Sequence, residues 1–91
     1  MAKLSKKEIQ GKLKGLKDWQ IKGQAIVKTF ILPSFKEAIS FVTKVADLAE
    51  AANHHPDMLI QYNKVTPTLS TGSEGAATEH DINLATQIEK T

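Results

Sequence analysis

Two prolines constrain this chain more than any other feature, because Pro33 and Pro56 bracket its longest candidate helix. Proline lacks an N–H and drives the preceding residue towards extended backbone, so a helix can neither contain Pro33 nor continue past His55. Ser34 and Glu37 have capping-box spacing just inside the first proline, which predicts a helix from Phe35 to about Ala52. Phe35, Ala38, Val42, Val45, Ala46 and Ala49 fall on one face of it, and Ile39, Phe41 and Leu48 widen the apolar surface beyond that stripe. A helix this broadly apolar packs on a sheet with one side and needs a second helix, or a second subunit, for the other.

Before this helix the hydrophobic period changes twice. Ser5 and Glu8 form another capping-box pattern, with Leu4 and Ile9 as a hydrophobic staple, so a first helix starts at Lys6 and presents Ile9, Leu13 and Leu16; Gly15 weakens its end. From Trp19 the pattern alternates, is broken by Gly23-Gln24, and resumes as the β-branched and aromatic run Ala25 to Leu32, which predicts a hairpin with a type II′ turn. After Pro56, Met58, Ile60 and Tyr62 alternate with Leu59, Gln61 and Asn63, and Val65, Leu69 and Thr71 alternate with Thr66, Thr68 and Ser70, giving strands three and four. Pro67 implies that the fourth strand has an unpaired stretch or lies at an edge. Residues 71–75 form a loop by composition, and Thr78 with Asp81 caps a final helix carrying Ile82, Leu84, Ala85 and Ile88.

The order α-β-β-α-β-β-α predicts a two-layer α+β domain, with a four-stranded antiparallel sheet and its helices on one face. The 91 residues are enough for a single domain, residues 1–91. There is no cysteine, hence no disulfide framework or thiolate metal site, and no apolar run approaches the roughly 18 residues that span a bilayer, so a cytoplasmic protein without membrane insertion is expected. Charge is lopsided: residues 1–44 hold ten lysines against three acids, and residues 45–91 hold seven acids against two lysines, or +7 and −5. All twelve basic residues are lysine, and without arginine the bidentate contacts of nucleic-acid recognition are missing, which favours a solvated face over a nucleic-acid surface.

The end of the long helix carries the chemistry. In Glu50-Ala-Ala-Asn-His54-His55-Pro56, two of the three histidines stand side by side at a junction between elements. Imidazole acts as acid or base near neutrality, which makes proton transfer the leading reading. Two others stay open. The rings can cap the helix by bonding its free carbonyls. A metal site is the weaker alternative, since sequence neighbours diverge and no third ligand has recognisable spacing. Glu50 precedes His54 by four positions, so a helix reaching His54 would put them on one face, with the carboxylate orienting that ring or bonding a ligand. Trp19, Phe30, Phe35 and Phe41 fit apolar periods and read as core.

Glu50, three residues, His54-His55-Pro56, five residues to Tyr62, and later Asp81 in Thr-Glu-His-Asp resemble the signature of the pterin-4a-carbinolamine dehydratase family. The similarity extends from Trp19 through Phe30, Phe35, Ala38, Phe41, Val45-Ala46 and Leu69 to the last helix. It implies a homodimer or homotetramer and dehydration of 4a-hydroxytetrahydropterin to quinonoid dihydropterin, with no metal or organic cofactor. It also implies catalytic roles for His54 and His55, and pterin binding by Glu50, Pro56, Tyr62 and Asp81. At one position the chain departs from the family: Gly72 stands where a further catalytic histidine is expected. That departure leaves room for an alternative, a non-catalytic pterin-binding or protein-binding module, since the family includes a dimerisation cofactor of a transcription factor. His80, beside Asp81, reads first as an exposed residue of the last helix's opening turn.

Overall fold

Each change of hydrophobic period becomes an element. The structure, a computed structural model, describes residues 3–91. Its helices are α1 (Lys6–Lys12), α2 (Phe35–Ala52) and α3 (Glu79–Glu89), and its strands are β1 (Gln20–Lys22), β2 (Ala25–Val27), β3 (Phe30–Ile31), β4 (Asp57–Gln61) and β5 (Lys64–Leu69). The expected α+β architecture is present, with a wholly antiparallel sheet.

β5 lies at the centre. It pairs with β4 along one side and with β2 and β3 along the other, while β1 continues the sheet beyond β2. The predicted strand from Ala25 to Leu32 is thus divided in two, which makes five strands in four positions. Val27 faces Thr68 and Phe30 faces Val65, so the unpaired Lys28 and Thr29 lie across from Pro67 and Thr66. Pro67 has no N–H to offer a ladder, and a side-chain hydrogen bond between the Thr29 and Thr66 hydroxyls, 2.9 Å long, bridges the gap. The unpaired stretch anticipated from Pro67 therefore exists, but the strand is central and not at an edge.

The caps form largely as the sequence indicates. Ser5 with Glu8 and Thr78 with Asp81 make reciprocal capping boxes. At α2 the Ser34 hydroxyl accepts from the Glu37 N–H at 3.1 Å. The α-helical hydrogen bonding of α1 ends at Lys12 and tightens into a 3₁₀ turn over Leu13–Gly15. In the first hairpin Gly23 adopts φ +63° and Gln24 stays at negative φ, as a type II′ turn requires.

The core lies between the sheet and the helices. Val65, Pro67 and Leu69 point inward from β5, and Ala38, Phe41, Val45 and Ala49 face them from α2. Phe35 is half exposed, so the buried stripe of α2 is centred on Phe41 and not on the line through Phe35 and Val42. Trp19 meets Phe30 edge to face with centroids 6.1 Å apart, and Phe30 packs on Phe41 at 4.8 Å with the planes inclined by 41°. The Trp19 indole N–H donates to Glu89 Oε2 at 2.9 Å, and Lys28 reaches the same oxygen at 2.6 Å, tying the first hairpin to the end of α3. This arrangement sets the start of α3 against the end of α2. Among the described residues no helix is long and apolar enough to cross a membrane.

Candidate active site

The end of α2 determines where the histidines go. Asn53 adopts the left-handed conformation, φ 50° and ψ 45°. Its N–H bonds the Glu50 carbonyl at 3.2 Å, and the His54 N–H bonds the Ala49 carbonyl at 2.9 Å. These two bonds make a Schellman motif, with asparagine filling the position usually given to glycine. The turn swings His54 off the helical path towards α3. The next residue, His55, is extended by Pro56 and points the other way.

Helical spacing would therefore mislead at this point. Glu50 does not meet His54; its Oε2 lies 2.5 Å from Nε2 of His55. The expectation that Glu50 and His54 share a helix face fails because the helix ends at Ala52, before the fourth step is complete. Both members of the Glu50–His55 pair are well exposed, so their attraction is screened and contributes little to stability.

His54 has a different partner. Its Nε2 lies 2.5 Å from Oδ1 of Asp81, whose side chain is wholly buried. The other carboxylate oxygen accepts from the Thr71 hydroxyl at 2.9 Å and from the Thr78 N–H at 2.8 Å, and the Thr71 and Thr78 hydroxyls are 2.7 Å apart. Asp81 thus caps the start of α3 and clamps His54 with the same carboxylate. A buried carboxylate without partners is costly; this one has three donors. With Nε2 committed to Asp81, Nδ1 of His54 is left to meet a ligand, and the ring cannot swing without leaving Oδ1 of the buried carboxylate unpartnered.

The other expected residues separate. Pro56 is half buried and begins the approach to β4. Tyr62 is 71 % exposed in the turn between β4 and β5, at φ 56°, and the five-residue strand β4, about 17 Å long at the usual rise of about 3.4 Å per residue, lies between it and Pro56. The structure does not bring it to the histidines. Gly72 follows Thr71 in the loop closed by the Thr71–Ala76 bridge, and a Cβ there would meet nothing within 4 Å. His80, not expected in the site, has its ring centroid 5.6 Å from that of His54, with the planes inclined by 31°. Thr71 is also new; its hydroxyl bonds the site carboxylate from ten residues away. No group of three or more His, Asp or Glu side chains among the described residues is disposed to hold a metal ion.

The chain is similar to known proteins of one family. The model of the family described as pterin 4 alpha carbinolamine dehydratase matches residues 2–91. A Sulfurisphaera tokodaii protein, named provisionally as a pterin-4-alpha-carbinolamine dehydratase, is 46 % identical over 90 residues, covering 99 % of this chain and 97 % of its own. A Roseiflexus sp. protein of the same provisional name is 51 % identical over 88 residues, covering 97 % and 95 %. A crystal structure from Brucella melitensis, described as a transcriptional coactivator/pterin dehydratase, superposes with a TM-score of 0.91 at 36 % identity, covering 97 % of this chain and 96 % of that one. A pterin dehydratase-like protein described as a RuBisCO assembly factor of the α-carboxysome shares the fold, with a TM-score of 0.64 at 23 % identity over 79 % of this chain and 83 % of its own.

Proposed function

The chain belongs to the pterin 4 alpha carbinolamine dehydratase family, and on that premise we propose that it dehydrates a 4a-hydroxytetrahydropterin to the quinonoid dihydropterin by histidine acid–base chemistry. The observation that carries this reading is the Asp81–His54 pair, a single imidazole, 13 % exposed, held in one orientation by a wholly buried carboxylate.

The reaction is an elimination and is redox-neutral. The bond from carbon 4a to its hydroxyl oxygen breaks, its electrons leave with the oxygen, and that oxygen takes a proton and departs as water. The ring nitrogen attached to carbon 4a gives its proton to a base, and the freed electron pair closes the C=N bond. One group must therefore donate a proton and another accept one, each transfer contributing roughly 10²- to 10⁴-fold. His54 supplies the principal transfer through Nδ1, because its Nε2 is held by Asp81 and the clamp fixes its direction. His55, braced by Glu50, lies at the same junction and serves the reaction or the binding of the pterin. Glu50, with most of its carboxylate exposed, and Pro56 flank the place where an aminopyrimidine edge would lie. Tyr62 has no role in this scheme. The natural assembly is a homodimer or homotetramer, suggested by the exposed apolar side chains of Ile31, Phe35, Ile39, Leu59 and Ile60.

Gly72 favours a second reading, in which the domain keeps the pterin pocket or a protein-binding surface without catalysis. The two separate in one experiment. Absorbance is followed while 4a-hydroxytetrahydropterin is generated in situ, with and without the protein; a rate well above the spontaneous one supports the dehydratase, and an unchanged rate leaves the binding module.

A further inference from the structure

His54 accounts for one of the two proton transfers, and the surface holds a better-placed second group than sequence adjacency suggests. Resting on the dehydratase reading above, we propose that His80 is the second proton-transfer group of the site and takes the place of the imidazole missing at Gly72.

Three observations support the proposal. The ring centroids of His54 and His80 are 5.6 Å apart, a spacing at which two ring nitrogens can reach two atoms borne by one carbon of a ligand, each over about 2.6–3.2 Å. The His80 side chain makes no hydrogen bond or ion pair among the described residues, whereas the other two histidines are each engaged by a carboxylate. Its neighbour Glu79 is turned to Lys12 of α1, and Asp81 is committed to His54 and the two threonines. The ring is therefore free to meet a ligand.

Position also assigns direction. His54 is joined through Nε2 to a buried carboxylate, while His80, the second residue of α3, has no carboxylate partner. His54 accordingly donates the proton to the departing hydroxyl, and His80 accepts the one released from the ring nitrogen. After turnover His54 lacks a proton and His80 carries one extra; His80 is exposed, so exchange with solvent restores both. The place fits the loss at residue 72. Thr71, immediately before Gly72, bonds the same carboxylate that holds His54, so the loop and the start of α3 border one site.

The test measures dehydration of in-situ-generated 4a-hydroxytetrahydropterin, binding of a stable oxidised pterin, and thermal unfolding in wild type, His54→Ala, His80→Ala, His80→Gln, Gly72→His and the double variant Gly72→His/His80→Ala. Both His80 variants should lower kcat by about 100-fold, leave pterin affinity within about threefold and melt like wild type, and free imidazole should restore His80→Ala by about tenfold or more. Gly72→His should raise the rate about tenfold in the His80→Ala background but by less than about threefold in wild type, because the two imidazoles serve one role. Wild-type kcat in both His80 variants, with His54→Ala inactive, would overturn the role of His80 and leave the dehydratase reading intact. A wild type no faster than the spontaneous reaction would remove that reading and this inference with it.

Discussion

His54 and Asp81, 27 positions apart in the chain, are joined by a 2.5 Å contact between Nε2 and Oδ1, and through it the end of α2 is fastened to the start of α3. One carboxylate therefore joins two elements and, on the proposed reading, orients the reacting imidazole. It completes the capping box of α3, satisfies Thr71, and holds the imidazole. Changes at Asp81 should consequently move stability and activity in the same direction.

Asp81→Ala is expected to cost about 2–4 kcal/mol of folding stability, since it removes a cap and strands two buried donors, and to lower the dehydration rate by 10²-fold or more, roughly the value of one positioned proton-transfer group. Urea unfolding and the absorbance assay measure the two. Thr71→Val, which removes only one of the carboxylate's bonds, should cost about 1–2 kcal/mol and leave His54 in place. Equal catalytic losses in the two variants would contradict a direct link from Asp81 to His54.

Asn53 tests the turn that aims His54. Its left-handed backbone suits glycine, so Asn53→Gly should be close to neutral, while Asn53→Val should lose about 1–2 kcal/mol and reduce the rate by letting the His54 backbone move. Thermal unfolding and kcat are the readouts. A fully active, undestabilised Asn53→Val would show that the turn is not what sets the histidine.

Most of the architecture was legible because its signals are local. The prolines, capping boxes and the Gly23-Gln24 turn each act within a few residues, and they placed the elements and their order. The failures arose where distant parts meet. The break between β2 and β3 depends on Pro67 lying across from Lys28, a register that no local pattern specifies. Glu50 was expected against His54 because helical spacing was carried past Asn53, where the backbone turns left-handed. Asp81 was visible as a cap, but its bond to His54 and the approach of His80 depend on how α3 packs on α2. A strand-long separation likewise removes Tyr62 from the site, although it belongs to the same sequence signature.

Tyr62 offers a simple check of that separation. Tyr62→Phe should leave kcat and pterin affinity within about twofold of wild type, and Tyr62→Gly, which relaxes the left-handed turn, should be no less stable. A tenfold loss of pterin affinity on removing the hydroxyl would return Tyr62 to the binding site.

A prediction about assembly rests on the apolar side chains left uncovered on α2 and β4, an edge strand with free backbone groups. Sedimentation at micromolar concentration should give a dimer or tetramer, and Leu59→Lys with Ile60→Lys should shift it towards the monomer. A 10.0 kDa monomer for the unaltered protein would contradict this expectation.

The most direct test of the account compares His54→Ala with wild type in the dehydration of 4a-hydroxytetrahydropterin, alongside binding of a stable oxidised pterin. Wild type should exceed the spontaneous rate by at least about 10³-fold, and His54→Ala should lose about 10²- to 10⁴-fold of that while still binding the pterin, though more weakly. A folded His54→Ala protein with the wild-type rate would show that the Asp81-held imidazole is not the proton-transfer group.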